Sequence, residues 1–362
     1  MRGWRGSIRS WLVGCATLLL AAGVGCHRQP ATIEVIMPTG GLHYWEVFSN
    51  EIRKDATAAG IRVQTAAPQA VTDYTEQAQL VENAIAQHVQ GIIVSPSHQM
   101  VLASVLRRAE LAHIPVVVVG TPIALPASDY AAFIGWDEEE AGRLAARRFL
   151  TLLGGHGEVG VIGVSPTVEG SSRIEEGFAD EIARTPQLKL VGVKYGLSDW
   201  ARARQATLDL LAEHPRIGGI FMTAEFSTHA AAAAFESGRQ KRPALIGVSE
   251  ETDELRALHD GGVDALVISD PRELGRRAMQ AMRVALSGRS ASGYSAQLPV
   301  QIISRETMER NPIVAMLLQG RGYPRRSGIS SGPRGRRATR HRHRRSAGRR
   351  RRRPGNADRC SG

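Results

Sequence analysis

Short runs of β-branched and apolar residues recur along the chain, and each is followed by a stretch with apolar positions three or four residues apart. The first run, "TIEVIM" (32–37), predicts a strand, and residues 44–59 predict a helix. "IRVQTA" (61–66) predicts a second strand, and 73–88 a helix with Tyr74, Ala78, Val81 and Ile85 on one face. "GIIVSP" (91–96) and "PVVVVG" (115–120) predict strands around a helix at 99–112, and "AAFIGW" (131–136) ends this series. The pattern then restarts. A helix over 137–153 opens on acidic residues, as the helix dipole favours. Further strands are predicted at 158–163, 188–195, 217–223, 243–248 and 263–269, with helices between them, and a last one at "LPVQIIS" (298–304). Uninterrupted apolar strands suit parallel sheets covered by helices on both faces. Two such series predict an α/β chain of two doubly wound parallel-sheet lobes, with a ligand cleft where the carboxyl ends of the strands meet.

Composition supports two domains and isolates two unusual ends. The chain has 362 residues, 43% of them apolar, which is a globular composition. Its net charge of +11 is unevenly spread: residues 321–362 hold 16 arginines, no lysine and one acid, Asp358, for +15, which leaves −4 on the rest. This tail predicts a disordered arm, either a basic segment for nucleic acid or anionic surfaces or an out-of-frame reading of GC-rich DNA. At the other end, Arg2, Arg5 and Arg9 precede a 14-residue apolar run, Trp11–Val24, which is short for a membrane span of about 20 residues. The run ends at Gly23-Val24-Gly25-Cys26, small residues before a cysteine, as in a bacterial lipoprotein cleavage box with Cys26 lipidated. An ordinary secretory signal or an uncleaved anchor is the alternative.

Little in the sequence points to catalysis. The three cysteines, Cys15, Cys26 and Cys360, all lie near the ends, so the body has no disulfide framework, CxxC motif or cysteine nucleophile. HExxH and Walker motifs are absent, and the one GxSxG match, 328–332, lies in the arginine-rich tail, outside the body. "GGHGEVGVIG" (154–163) is glycine-rich, but its glycines precede a strand instead of joining strand to helix, so it makes a poor phosphate loop. The eleven histidines show no metal-ligand spacing beyond His341 and His343 in the tail. The expectation is a non-enzyme with no metal and no cofactor.

The order of motifs resembles the periplasmic sugar-binding proteins of the ribose-binding type, the substrate-binding subunits of ABC importers. The resemblance covers about residues 31–319. It is carried by "HYWEVFSNEIRKDATAAGIRV", "QAQLVENAIAQHVQGIIVSP", "IGWDEEEAGRLAARRFL", "SRIEEGFADEI" and "ALIGVSEETDELRALHDGGVDALVISDPRELGRRAMQAM" in that order. It implies a type I periplasmic binding fold whose lobes are joined by a hinge crossed three times. Residues 31–136 and 270–297 would form the N-terminal lobe, and 137–269 and 298–319 the C-terminal one. It further implies a monomer that closes on a small sugar or polyol and delivers it to an ABC permease from the periplasmic side of the membrane, held there by the lipid anchor. Presenting ligand to a chemoreceptor or sensor kinase is the alternative role. The LacI-type regulators share this effector-binding fold, but a DNA-binding headpiece would have to stand where the apolar segment is, so no nucleic acid partner is expected.

The resemblance also nominates ligand-binding residues. Tyr44 and Trp45 stand where the family has its stacking aromatics, and a ring can cover the C–H face of a sugar. His43 precedes them. Arg173 matches the family's ligand-binding arginine, whose fixed fork of donors suits adjacent hydroxyls or a carboxylate. Asp137 falls at the crossover strand end, where it would bind ligand or cap the next helix. Asp270 lies on the expected hinge strand before Pro271. The chain departs from the family pattern at several places: Gly41-Leu42 replace two asparagines, Gly120-Thr121 a charged pair, Ala224-Glu225 an Asn-Asp and Ser249 an aspartate. Glu225 and Ser249 are therefore candidates for altered ligand contacts, and the hydroxyl pattern recognised is not expected to be that of ribose.

Overall fold

The computed structural model describes residues 30–235 and 242–319. The expected lipidation site, Cys26, and the arginine-rich segment from 320 onward lie outside the described residues. Among the described residues no helix is long and apolar enough to cross a membrane.

The first half alternates strand and helix: β1 (Thr32–Ile36), α1 (His43–Ala58), β2 (Arg62–Ala66), α2 (Tyr74–Ala86), β3 (Gly91–Val94), α3 (Gln99–Leu111), β4 (Val116–Gly120) and β5 (Ala132–Trp136). The second half runs α4 (Glu138–Leu152), β6 (Gly157–Gly163), α5 (Glu169–Ala183), β7 (Leu188–Tyr195), α6 (Trp200–Glu213), β8 (Ile217–Met222), α7 (Glu225–Ala234), β9 (Ala244–Val248), α8 (Thr252–Asp260) and β10 (Ala265–Ile268). Then come α9 (Pro271–Leu286), β11 (Ala296–Leu298), β12 (Gln301–Ile303), α10 (Arg305–Met308) and α11 (Pro312–Leu317). The strands form two six-stranded sheets, in the orders β11-β5-β4-β3-β1-β2 and β12-β10-β9-β8-β6-β7. All pairings are parallel except that of β12 with β10. The chain therefore passes between sheets after β5, after β10 and between β11 and β12.

Each sheet is buried on both faces, as its continuous apolar strands require. On one face of the first sheet, Phe48 and Ile52 of α1 and Leu274, Ala278 and Met282 of α9 pack on Ile33, Val35, Val117 and Ile134. On the other, Val81 and Ala84 of α2 meet Leu102, Val105 and Leu106 of α3 over Ile92, Val94, Val116 and Val118. In the second sheet, Phe149 of α4 and Phe178 of α5 cover Val159, Val161, Phe221 and Ile246. Burying each such phenylalanine contributes about 1.5–3 kcal/mol. The helices α4 and α5 touch backbone to backbone. A Cβ added at Gly142 would overlap the Ile174 carbonyl, and one at Gly177 would overlap the Glu139 carbonyl.

The strand expected over 298–304 is two strands. Leu298 ends β11 in the first sheet, and Gln301 begins β12 in the second. Pro299 lies between them and has no N–H to donate to a ladder, so one continuous strand cannot form there. The apolar pattern is read correctly, but it serves two sheets, and the break is one of the interlobe passages.

Candidate functional site

The carboxyl ends of both sheets face each other across a cavity of about 370 Å³. Loops after β1, β3 and β4 supply Thr39, Ser95, Ser97 and Thr121 from one side, and those after β6, β8, β9 and β10 supply Val164, Thr223, Glu225, Glu250 and Ser269 from the other. Local structure fixes these loops. The fully buried Gln77 of α2 donates to the carbonyls of Met37 and Ser95, at 3.1 and 2.8 Å, and accepts from the amide and hydroxyl of Ser97, at 3.0 and 2.8 Å. One side chain thus ties together the two loops that line the first-sheet wall.

Aromatic rings form one end of the cavity. Trp45 of α1 and Trp136, the last residue of β5, both line it. Tyr44 stands edge-on to each, with centroids 4.9 Å from Trp45 and 6.3 Å from Trp136. Tyr44 is only 8% exposed, and its buried hydroxyl completes no hydrogen bond. It faces a side pocket of about 200 Å³ that shares Trp45, Trp136, Glu225, Glu250 and Ser269 with the main cavity.

Three glutamates line the main cavity. Glu138, 7% exposed, accepts from the Thr121 hydroxyl at 3.0 Å, and its other oxygen lies 3.3 Å from Arg173 Nε. Glu250 receives both the amide and the hydroxyl of Ser269 on Oε1, each at 2.7 Å. Glu225 opens α7. Burial raises all three to about 7, and neighbouring carboxylates add to the rise. Hydrogen bonds from Thr121 and the nearby Arg173 oppose the shift at Glu138, Ser269 opposes it at Glu250, and backbone amides at residues 225 and 226 oppose it at Glu225.

The predicted site residues fall into distinct places. Trp45 and Glu225 line the main cavity. Tyr44 and Ser249 line the side pocket, with the Ser249 hydroxyl donating to Glu254 at 3.3 Å. His43 begins α1, and its ring nitrogens reach the Leu317 carbonyl at 3.0 Å and Glu46 at 3.4 Å. Arg173 is outside the cavity lining: its guanidinium donates to Glu139 at 2.8 Å and faces Glu138, so it stands behind a lining carboxylate. Asp137 caps α4 through the Glu140 amide at 2.8 Å and pairs with Arg143 at 3.2 Å. Asp270 caps α9 through the amides of Arg272 and Glu273 at 2.9 and 3.2 Å, with Pro271 in the first turn. Both aspartates act here on their own helices.

Sequence reasoning missed Trp136, Glu138, Glu250 and Glu251. Glu251 has a particular position. Its two carboxylate oxygens accept the amides of His43 and Tyr44, each at 3.0 Å, across the gap between the sheets. The residue before α1 is Leu42, which has no side-chain oxygen to cap it, so a carboxylate from the other lobe does so. A helix start lacking Ser, Thr, Asp or Asn was the available signal. Tyr74 to Thr167 at 2.7 Å and Gln99 to Glu169 at 2.7 Å also bridge the lobes, which are closed on one another.

Two α/β lobes closed around a solute-sized cavity at the ends of their strands define a solute-binding architecture. The chain belongs to the periplasmic binding protein family, whose domain matches residues 33–290. That family is one of solute-binding proteins. Among relatives, the D-apiose import binding protein of Paraburkholderia graminis is 22% identical over 262 residues, which is 72% of this chain and 83% of the relative. The ribose import binding protein of Bacillus subtilis is 25% identical over 270 residues, 73% of this chain and 84% of the relative. A carbohydrate transporter solute-binding protein from Agrobacterium radiobacter, solved with D-arabinose, superposes with a TM-score of 0.74 at 22% identity, over 80% of this chain and 99% of that one. The type I two-lobed fold expected from the sequence is thereby established.

Proposed function

We propose that the protein binds one small sugar or polyol in the interlobe cleft and delivers it to the permease of an ABC importer. The observation that carries this reading is the closed cavity itself, with Trp45 and Trp136 at one end and serine, threonine and glutamate oxygens around the rest. Rings cover the C–H face of a sugar, and the oxygens engage its hydroxyls. The relatives that are import binding proteins for apiose and ribose support the same ligand class. No chemical step is asked of the site; closure and release suffice.

In this reading the N-terminal lobe is 31–136 with 270–297 and the C-terminal lobe 137–269 with 298–319, bounds that follow strand membership in the two sheets except at Leu298, which ends β11 in the first sheet. The protein acts as a monomer on the periplasmic side, anchored by lipid at Cys26. Fatty-acid labelling tests the anchor: it is expected in the native chain and lost in Cys26→Ala, and label that survives the substitution refutes it.

A thermal-shift screen against monosaccharides, polyols, amino acids and purines tests the ligand class. Binding raises the melting temperature by mass action, so at least one sugar or polyol is expected to do so. A response confined to amino acids or purines overturns the proposal.

A further inference from the structure

We infer that the ligand carries a protonated amino group, held in the side pocket between Glu225 and Glu250 and against the rings of Tyr44, Trp45 and Trp136. This rests on the binding role proposed above and narrows it to amine-bearing sugars and cyclitols of monosaccharide size.

No lysine, arginine or histidine is among the described residues lining the main cavity or the side pocket. Four acids close to the cleft are already matched. Glu138 and Glu139 face Arg173, Glu251 holds two amides at the start of α1, and Glu254 pairs with His229 at 2.9 Å. Glu225 and Glu250 have no such partner. Glu250 receives only the neutral donors of Ser269, both on Oε1, and Glu225 meets only backbone amides.

Two carboxylates facing one enclosed pocket without a cation are unfavourable, because burial penalises the charges and they repel each other. Both are pushed up to about 7, first by burial and then by neighbouring carboxylates, Glu251 and Glu225 for Glu250 and Glu251 and Glu254 for Glu225. Sugar hydroxyls can satisfy the hydrogen bonds of such a pair but cannot neutralise it. An ammonium group does both.

The remaining walls suit the same guest. Aromatic faces attract cations, and three rings surround this pocket. The buried Tyr44 hydroxyl, which completes no hydrogen bond, offers an acceptor for an N–H. A metal ion fits less well: among the described residues no group of three or more His, Cys, Asp or Glu side chains is placed to hold one.

The test compares pairs that differ only by amine against hydroxyl: glucosamine with glucose, galactosamine with galactose, and an aminocyclitol with inositol. Calorimetric titration of the purified protein at neutral pH is expected to give about tenfold or greater tighter binding for the amine of at least one pair. Glu225→Gln and Glu250→Gln, checked for an unchanged fold by circular dichroism, are expected to bring the two members of that pair to within about threefold of each other. The native comparison stands even where a variant fails to fold. Equal or tighter binding of the neutral members overturns the inference and leaves the sugar-binding reading in place. Binding of neither member of any pair overturns the inference, while the thermal-shift screen decides the sugar-binding reading separately.

Discussion

Gly177→Val is expected to leave little folded protein. The helices α4 and α5 meet where Gly177 lies against the Glu139 backbone and Gly142 against the backbones of Ile174 and Phe178. No flexible side chain is there to yield, and a β-branched residue adds two atoms on Cβ in a helix that restricts their rotation. Separating the helices would also pull Phe149 and Phe178 from the second-sheet core. The loss should exceed about 3 kcal/mol, at the upper end for overpacking. Urea unfolding measures it as a lower midpoint, or as failure to obtain soluble protein. The same contact sets the site, because α4 carries Glu138 in its first turn and α5 carries Arg173 behind it. A Gly177→Val protein with the parent's midpoint would show that the two helices do not touch as described.

Glu251→Ala is expected to weaken ligand binding roughly tenfold to hundredfold while leaving the ligand-free melting temperature nearly unchanged. In the closed form the Glu251 carboxylate satisfies the first two amides of α1 from the opposite lobe. When the lobes separate, water reaches both the carboxylate and the amides. The interaction therefore favours closure specifically, and a ligand that binds the closed form loses affinity by the same factor. Calorimetric titration with the best ligand from the screen gives the change. Unimpaired affinity would mean that this contact adds nothing to the closed state.

Much of the fold could be read from the chain because it depends on local periodicity. Runs such as "PVVVVG" and "GIIVSP" are buried on both sides and read as strands without knowledge of their neighbours. Asp137 at the head of an acidic first turn was legible as a cap as well as a ligand candidate. The site was only partly legible, because its geometry is made by distant segments. Trp45 follows the first strand and stands out in a loop-to-helix sequence. Trp136 is equally placed at a strand end, yet its approach to Tyr44 depends on the pairing of β5 with β4. Glu250 and Glu251 are adjacent in sequence but face different duties, one toward Ser269 and the cleft, the other toward α1. No spacing rule separates them. Arg173 shows the converse: its type suits a ligand fork, and two of its nitrogens face the acidic start of α4, a pairing between distant segments that no spacing reveals.

Tryptophan fluorescence tests the central claim, that one ligand occupies the interlobe cleft against Trp45 and Trp136. Trp4 and Trp11 fall in the N-terminal segment expected to be removed, and Trp200 is 46% exposed and does not line the main cavity. Titration of the mature protein should give a saturable one-to-one change that persists in Trp200→Phe and disappears in the Trp45→Phe Trp136→Phe double variant. A change that persists in the double variant but is lost in Trp200→Phe would place the ligand elsewhere and contradict the account.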